Sequence, residues 1–165
     1  MLSTAGSLAT LALLVMAAGV LPAQAADEAA QCDQMAADVA GRIGTPTPQR
    51  IEKSQSYTLG KKGDVELRLR CPTGSQRQPR VVLRWNATYP PRAFWSVVAD
   101  VGAKLTGASH RLVRLSAHKC HKASLLASDG RANRRTRGLG IECHTTTGSS
   151  AASSVALRRR SDFRL

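Results

Sequence analysis

The sequence lacks the common catalytic motifs. It contains no Gly-x-Ser-x-Gly elbow, no His-Glu-x-x-His, no Walker loop and no Gly-x-Gly-x-x-Gly. Acidic residues are also scarce: Asp and Glu together number only 11 in 165 residues, and Asp27, Glu28 and Asp33 are explained by the start of a helix. The sequence therefore predicts no catalytic residue and favours a non-enzymatic binding or envelope-associated protein. A small secreted enzyme is the alternative, since active sites are assembled from residues that are distant in sequence.

Aromatic residues are few, at 4% of the chain. Proteins that bind single-stranded nucleic acid stack the bases on exposed aromatic side chains. Only Trp85, Tyr89, Phe94 and Trp95 cluster in this sequence, and Phe94 falls on the apolar stripe of a predicted helix. This scarcity disfavours nucleic acid as a partner.

The first 25 residues contain no charged side chain. An apolar run from Leu8 to Leu21 is followed by Pro22 and by Ala23-Gln-Ala25, which is the order of a signal-peptide core and its small-x-small cleavage site. The run is too short for a transmembrane anchor, which needs about 20 apolar residues. Residues 1–25 are therefore predicted to be a secretory signal peptide, although no Lys or Arg precedes the run. An uncleaved anchor is the alternative.

Export predicts a periplasmic or secreted protein. The part that remains, residues 26–165, is long enough for one domain with a single core. Its last stretch is rich in Ser and Ala and ends in Arg158-Arg-Arg160. We expect one domain over residues 26–147 and a flexible basic C-terminal tail over residues 148–165.

Apolar residues at helical spacing predict three helices. The first covers residues 27–42 and the second residues 91–107. The third begins at Ser109, a good N-cap, although residues 112–117 also fit an alternating strand. Its apolar stripe is formed by Leu112, Ser116, Cys120, Ala123 and Ala127.

Alternating apolar residues predict about four strands. Residues 51–59 and 65–71 form a hairpin with one wet face, and further strands follow at residues 80–88 and 139–143. Residues 131–137 are predicted to be a basic loop. The order α-β-β-β-α-α-β predicts an α+β fold in which three helices pack on one face of a small antiparallel sheet.

The four cysteines are Cys32, Cys71, Cys120 and Cys143. An even number in an oxidising compartment predicts two disulfides. Two of the cysteines lie on predicted helix stripes and two on the buried faces of predicted strands. We favour Cys32–Cys71 and Cys120–Cys143, because these are the shortest helix-to-strand links along the chain.

The dipeptides Cys120-His121 and Cys143-His144, with His110 and His118 nearby, supply ligand types that suit zinc or copper. Their spacing matches no zinc-finger pattern, and oxidised cysteines cannot ligate a metal as thiolates. The sequence therefore predicts neither a metal site nor a cofactor.

Positive charge is the one remaining signal, with a formal net charge of +13. The predicted anion-binding residues flank the third strand or crowd the basic loop, and they are Arg77, Arg80, Arg84, Arg131, Arg134, Arg135 and Arg137. The partner would be an anionic envelope component, such as lipopolysaccharide, phospholipid or acidic polysaccharide, or a protein. The alternative is compositional, because Arg outnumbers Lys by 18 to 6, as a GC-rich genome would produce.

The run from Phe94 to Gly107, together with Cys120 and the segment Gly140-Ile-Glu-Cys143, resembles small exported proteins of unknown function from alphaproteobacteria. The similar part covers about the second half of the mature chain. The resemblance implies a bacterial protein with a periplasmic location, and it carries no site residue over to this sequence.

Overall fold

The computed structural model describes residues 21–51, 56–72, 79–136 and 138–159. Residues 1–20 of the predicted signal peptide lie outside these ranges, as do residues 160–165 of the predicted tail. The same holds for two of the candidate anion-binding residues, Arg77 and Arg137.

Seven strands form one sheet in the order β1-β2-β3-β4-β7-β6-β5, and all neighbouring strands are antiparallel. The strands are β1 Gln49–Ile51, β2 Ser56–Lys62, β3 Val65–Arg70, β4 Arg80–Trp85, β5 Arg131–Thr136, β6 Leu139–Thr146 and β7 Ala152–Arg159. The sheet makes this an α+β fold that is much richer in strands than the sequence predicted.

The prediction of about four strands was therefore wrong. The segment predicted as one strand at 51–59 contributes to two paired strands, β1 and β2. The predicted basic loop is β5, an edge strand whose charged side chains are mostly exposed. The predicted flexible tail contains β7, which lies between β4 and β6 in the middle of the sheet.

Three helices are present, as predicted: α1 Leu21–Ile43, α2 Arg92–Thr106 and α3 His110–Leu126. Gly107 ends α2 in the left-handed conformation with φ 73°, which glycine adopts at low cost. The Ser109 side chain caps α3 by accepting a hydrogen bond from the Leu112 amide.

The buried stripe of α3 differs from the predicted one. Leu112 is 37% exposed, and the buried residues are Val113, Ser116, Ala117, Cys120, His121 and Ser124. Of the polar side chains in this stripe, Ser124 finds hydrogen-bond partners, whereas His121 Nδ1 is buried without one among the described residues. Ser124 Oγ donates to the His121 carbonyl at 2.8 Å and lies 2.7 Å from Thr145 Oγ1 of β6.

One core lies between the helices and one face of the sheet. Alternate residues of β3, β4, β6 and β7 point into it, and Leu67, Leu83, Ile141 and Leu157 are at most 1% exposed. Residues of all three helices belong to the same cluster, among them Ile43, Phe94 and Val113. The other face of the sheet is thereby left without helices in the described part of the chain.

Two disulfides tie helices to this core. Cys32 of α1 pairs with Cys71, directly after β3, and Cys120 of α3 pairs with Cys143 of β6. The Cα atoms of the pairs are 5.8 and 5.9 Å apart. These are the two pairings that the sequence favoured.

Among the described residues, no helix combines the length and the apolar character that a membrane span requires.

Candidate functional site

The face of the sheet opposite the helices is rich in arginine. Residues that are directly opposite each other in an antiparallel pair share a face, so the register identifies its members. Its charged side chains are seven arginines and two glutamates along β3 to β7: Arg68, Arg70, Arg80, Arg84, Arg131, Arg135, Arg158, Glu66 and Glu142. We call this surface the open face.

Small side chains in the middle of the open face create a hollow between the arginines. Val82 of β4 lies opposite Ala156 of β7, and Ser154 lies beside them. A cavity of about 470 Å³ covers this floor, and a second one of about 370 Å³ shares Arg70, Val82, His144 and Ser154 with it. The charged and imidazole side chains lining the two cavities are Arg68, Arg70, Arg80, Arg84, Arg131, Glu142 and His144. We call this continuous hollow the arginine trough.

Like charges meet inside the trough. Arg70 and Arg80 are direct cross-strand partners, an arrangement that lowers stability when nothing neutralises it. The Arg80 guanidinium donates to Glu142 Oε2 at 2.6 Å, and Arg158 lies 3.7 Å from Glu142 Oε1. One carboxylate is therefore shared by two arginines, and no carboxylate among the described residues pairs with Arg70.

Gly140 allows the Arg158 side chain to cross the backbone of β6. A Cβ atom at Gly140 would lie 2.7 Å from Arg158 Nε and 2.9 Å from its Cγ, which is too close for either atom. Arg158 Nε is buried and has no hydrogen-bond partner among the described residues. The absence of a side chain at Gly140 thus leaves room for Arg158, whose guanidinium lies beside Glu142.

Several guanidinium groups of the open face are free to meet a ligand. Arg68 is paired with Glu66 at 2.6 Å. In the part of the chain that the structure describes, no ion pair engages Arg70, Arg84, Arg131 or Arg135. Guanidinium groups present rigid forks of N–H donors that match phosphate, sulfate and carboxylate groups.

The structure gathers four of the arginines that the sequence singled out. Arg80, Arg84, Arg131 and Arg135 share the open face. Arg134 lies on the other side of β5, because its cross-strand partner is Ile141, which is buried in the core.

Sequence reasoning missed Arg68, Arg70 and Arg158 as members of the site. The alternation of residues 65–71 already predicted that Arg68 and Arg70 lie on the solvent-exposed face of a hairpin, so this pattern could have identified them as members of the site. No such signal was read for Arg158, because β7 was not recognised as a strand.

The histidines do not converge on one site. His118 and His121 of α3 stack on Trp95 of α2, with ring centroids 4.1 and 5.2 Å away. His144 lies on the open face, on the opposite side of the sheet. The Cys120–Cys143 disulfide therefore does not bring His121 and His144 together, and no group of three or more metal-ligating side chains occurs within the described ranges.

A serine, a histidine and a carboxylate do occur close together on the open face. Ser154 and His144 are direct cross-strand partners, and Glu142 is two residues from His144 on the same strand. Both carboxylate oxygens of Glu142 face arginines, however. Glu142 is thus oriented for charge pairing and does not orient His144 in the way that a catalytic triad requires.

We expect the stability of the protein to fall as the pH drops below about 6.5, the ordinary pKa of histidine. Burial lowers the pKa of His121 below that value, and the neighbouring His118 lowers it further. Burial followed by the charge of Arg114 lowers the pKa of His118 as well. A histidine with a depressed pKa in the folded state binds protons more readily when unfolded, so its stabilisation is present above pH 6.5 and is lost as the pH falls toward the depressed pKa.

Urea unfolding at a series of pH values between 5 and 8, with Trp95 among the fluorescent reporters, measures this effect. The His121→Gln variant is expected to show a flatter dependence on pH than the wild type. His144→Gln, which removes an exposed histidine on the other side of the sheet, is the control and should keep the wild-type slope. An identical slope for all three proteins would contradict the assignment to His121.

The fold and the site together define a class: a disulfide-linked α+β domain whose antiparallel sheet is covered by helices on one face and bears a trough of arginines on the other. No family model, no curated protein and no solved structure matches the chain.

Proposed function

We propose that this protein is an exported, non-enzymatic binding module whose arginine trough binds an anionic ligand in the periplasm or outside the cell. The observation that carries the proposal is the trough itself, where unpaired guanidinium groups surround a floor of small side chains. Two disulfides are compatible with an oxidising compartment.

The distribution of arginine favours a selected site over composition alone. Seven of the 14 arginines in the described ranges lie on the open face. An arginine content imposed by the genome would spread over all exposed surfaces, including the outer sides of three helices. Concentration on the one face that no helix covers indicates a role for that face.

The trough is also charged beyond what the protein itself neutralises. Direct cross-strand pairing of Arg70 with Arg80 raises the energy of the unliganded state. Glu142 offsets only part of this repulsion, since it serves Arg80 and Arg158. A bound anion beside Arg70 would supply the missing negative charge, and a focused positive field would speed its arrival.

Retention on immobilised heparin tests the proposal. The double variant Arg70→Gln/Arg131→Gln is expected to elute at a markedly lower salt concentration than the wild type and to bind roughly tenfold or more weakly at physiological ionic strength. The matched control is Arg111→Gln/Arg114→Gln, which removes the same charge from exposed positions of α3 on the other side of the sheet.

The control variant should elute close to the wild type. Equal losses in the two double variants would attribute retention to net charge alone and overturn the proposal. A wild-type protein that binds neither heparin nor anionic vesicles at physiological salt would overturn it as well.

A further inference from the structure

We propose that the ligand of the arginine trough is a linear polyanion, a chain of phosphate or sulfate groups that lies across the strands from β5 to β3. This inference rests on the proposed function and specifies the kind of anion. It draws on the length of the trough, the placement of its unpaired arginines and the nature of its polar groups.

The trough is long in the direction perpendicular to the strands. The two cavities are continuous through Arg70, Val82, His144 and Ser154. They run from Arg131 on β5, over β6, β7 and β4, to Arg68 on β3. Neighbouring strands are about 4.8 Å apart, so four intervals give a length of about 19 Å. A ligand that fills the trough therefore has several charged groups in a row.

Unpaired arginines stand on both sides of the floor of the trough. One line of direct partners runs Arg131, His144, Ser154 and Arg84 across β5, β6, β7 and β4. The backbones at Arg131 and Arg84 are three strand intervals apart, which is about 14 Å. A linear chain contacts both guanidinium groups while its middle passes over the small side chains of the floor.

The polar groups that remain free in the trough are mainly hydrogen-bond donors. Glu142 faces Arg80 and Arg158 with its two oxygens, so the one carboxylate in the lining is already engaged. Free guanidinium groups and the Ser154 hydroxyl are left to the ligand. Phosphate diesters and sulfates only accept hydrogen bonds at neutral pH, and they match such a lining.

The lining also distinguishes between polyanions. Apart from the His144 imidazole, none of the described residues that line the trough is aromatic, so bases of a single-stranded nucleic acid would find no platform for stacking. A planar membrane surface would meet the arginine walls of a concave trough and would leave its floor unfilled. A linear polyanion that is recognised through its charges alone fits both the lack of aromatic platforms and the concave shape of the trough.

Calorimetric titration of the mature, disulfide-bonded protein tests this inference. The probes are inorganic phosphate, tripolyphosphate, longer polyphosphate chains and heparin oligosaccharides of increasing length. We expect affinity to rise with chain length until the ligand spans about 19 Å and to level off beyond that length. Polyphosphate and heparin together show whether phosphate or sulfate is preferred.

Single variants locate the ligand along the trough. Arg131→Gln and Arg84→Gln, on opposite sides of the floor, are each expected to weaken binding of the long chains roughly tenfold and to lower the salt dependence by about one counterion. Arg111→Gln on α3 is the control and should leave both quantities unchanged. The variants remove exposed side chains from strand surfaces, and thermal unfolding verifies that each is folded.

Three results would overturn the linear polyanion. The first is that inorganic phosphate binds as tightly as the long chains. The second is that a thymidine oligonucleotide of equal charge binds as well as they do, and the third is that vesicles with anionic phospholipid are the sole target bound. In each of these cases the trough still binds an anion, so the proposed function stands. Failure of every anionic probe to bind the wild type would instead remove the proposed function.

Discussion

Removal of residues 148–165 is expected to abolish folding of the domain. The deleted stretch contains β7, which is an interior strand of the seven-stranded sheet and pairs with β4 on one side and β6 on the other. Without β7, no backbone hydrogen bonds join the part of the sheet formed by β1 to β4 to the part formed by β5 and β6. Two long edges would then be exposed to solvent.

The energetic cost exceeds what a domain of this size tolerates. Val155 and Leu157 of β7 are at most 1% exposed, and burial of each contributes about 1.5–3 kcal/mol. The cross-strand hydrogen bonds to β4 and β6 are lost in addition, as is the bond from Ser153 Oγ to the Thr88 carbonyl at 2.8 Å. The net stability of a domain is about 5–15 kcal/mol, so the truncated chain should not fold.

Circular dichroism and thermal unfolding of the oxidised protein measure this effect. The truncated chain is expected to show no cooperative transition. A shorter truncation that stops after Arg159 keeps β7 complete, serves as the control and should fold. A cooperative transition within a few degrees of the wild type after removal of 148–165 would show that β7 is dispensable.

Strand β7 is hard to predict from the sequence because neither of its two faces carries a regular run of large apolar side chains. Ser153, Val155 and Leu157 point into the core, and Ser154, Ala156 and Arg158 lie on the open face. On the open face, small side chains form the floor of the trough. On the core face, Ser153 interrupts the apolar pattern. Alternation of Ser and Ala with two aliphatic residues is hard to distinguish from a low-complexity tail.

The edge strand β5 was missed for a different reason. Its residues Arg131 to Thr136 include three arginines and an asparagine, a composition that is typical of a loop. Edge strands tolerate and even favour such charges, because charges discourage pairing with other chains. Only the register with β6 identifies this segment as a strand.

Helices α1 and α2 could be predicted because large apolar residues recur at helical spacing, as Phe94, Val98 and Val101 do on α2. The stripe of α3 could not, since its buried side includes the polar residues Ser116, His121 and Ser124, which interrupt the apolar pattern. The sequence predicted that the candidate site consists of arginines, but it did not predict which arginines the fold brings together. Arg80 and Arg131 line one cavity because β7 and β6 join their strands into a single sheet. The order of strands in a sheet cannot be deduced from local sequence patterns.

Loss of either disulfide is expected to destabilise the protein by several kcal/mol. The loops closed by Cys32–Cys71 and Cys120–Cys143 span 39 and 23 residues. The loss of chain entropy in the unfolded state predicts contributions of about 4 and about 3.5 kcal/mol, respectively. Urea unfolding of the paired variants Cys32→Ala/Cys71→Ala and Cys120→Ala/Cys143→Ala measures the two values, with the wild type as reference.

The two losses are expected to differ in where the structure loosens. Helix α3 packs along both β5 and β6, so these contacts hold it in place when Cys120–Cys143 is removed. Helix α1 contacts β2 and α2 with a buried side formed by Ala36, Val39, Ala40 and Ile43, and its covalent link to the end of β3 is the disulfide. Hydrogen exchange should therefore show α1 alone losing protection in the Cys32→Ala/Cys71→Ala variant, while the amides of α3 stay protected in the other. Equal protection of α1 in both variants would mean that its apolar contacts suffice to dock it, and that the first disulfide acts through the unfolded state alone.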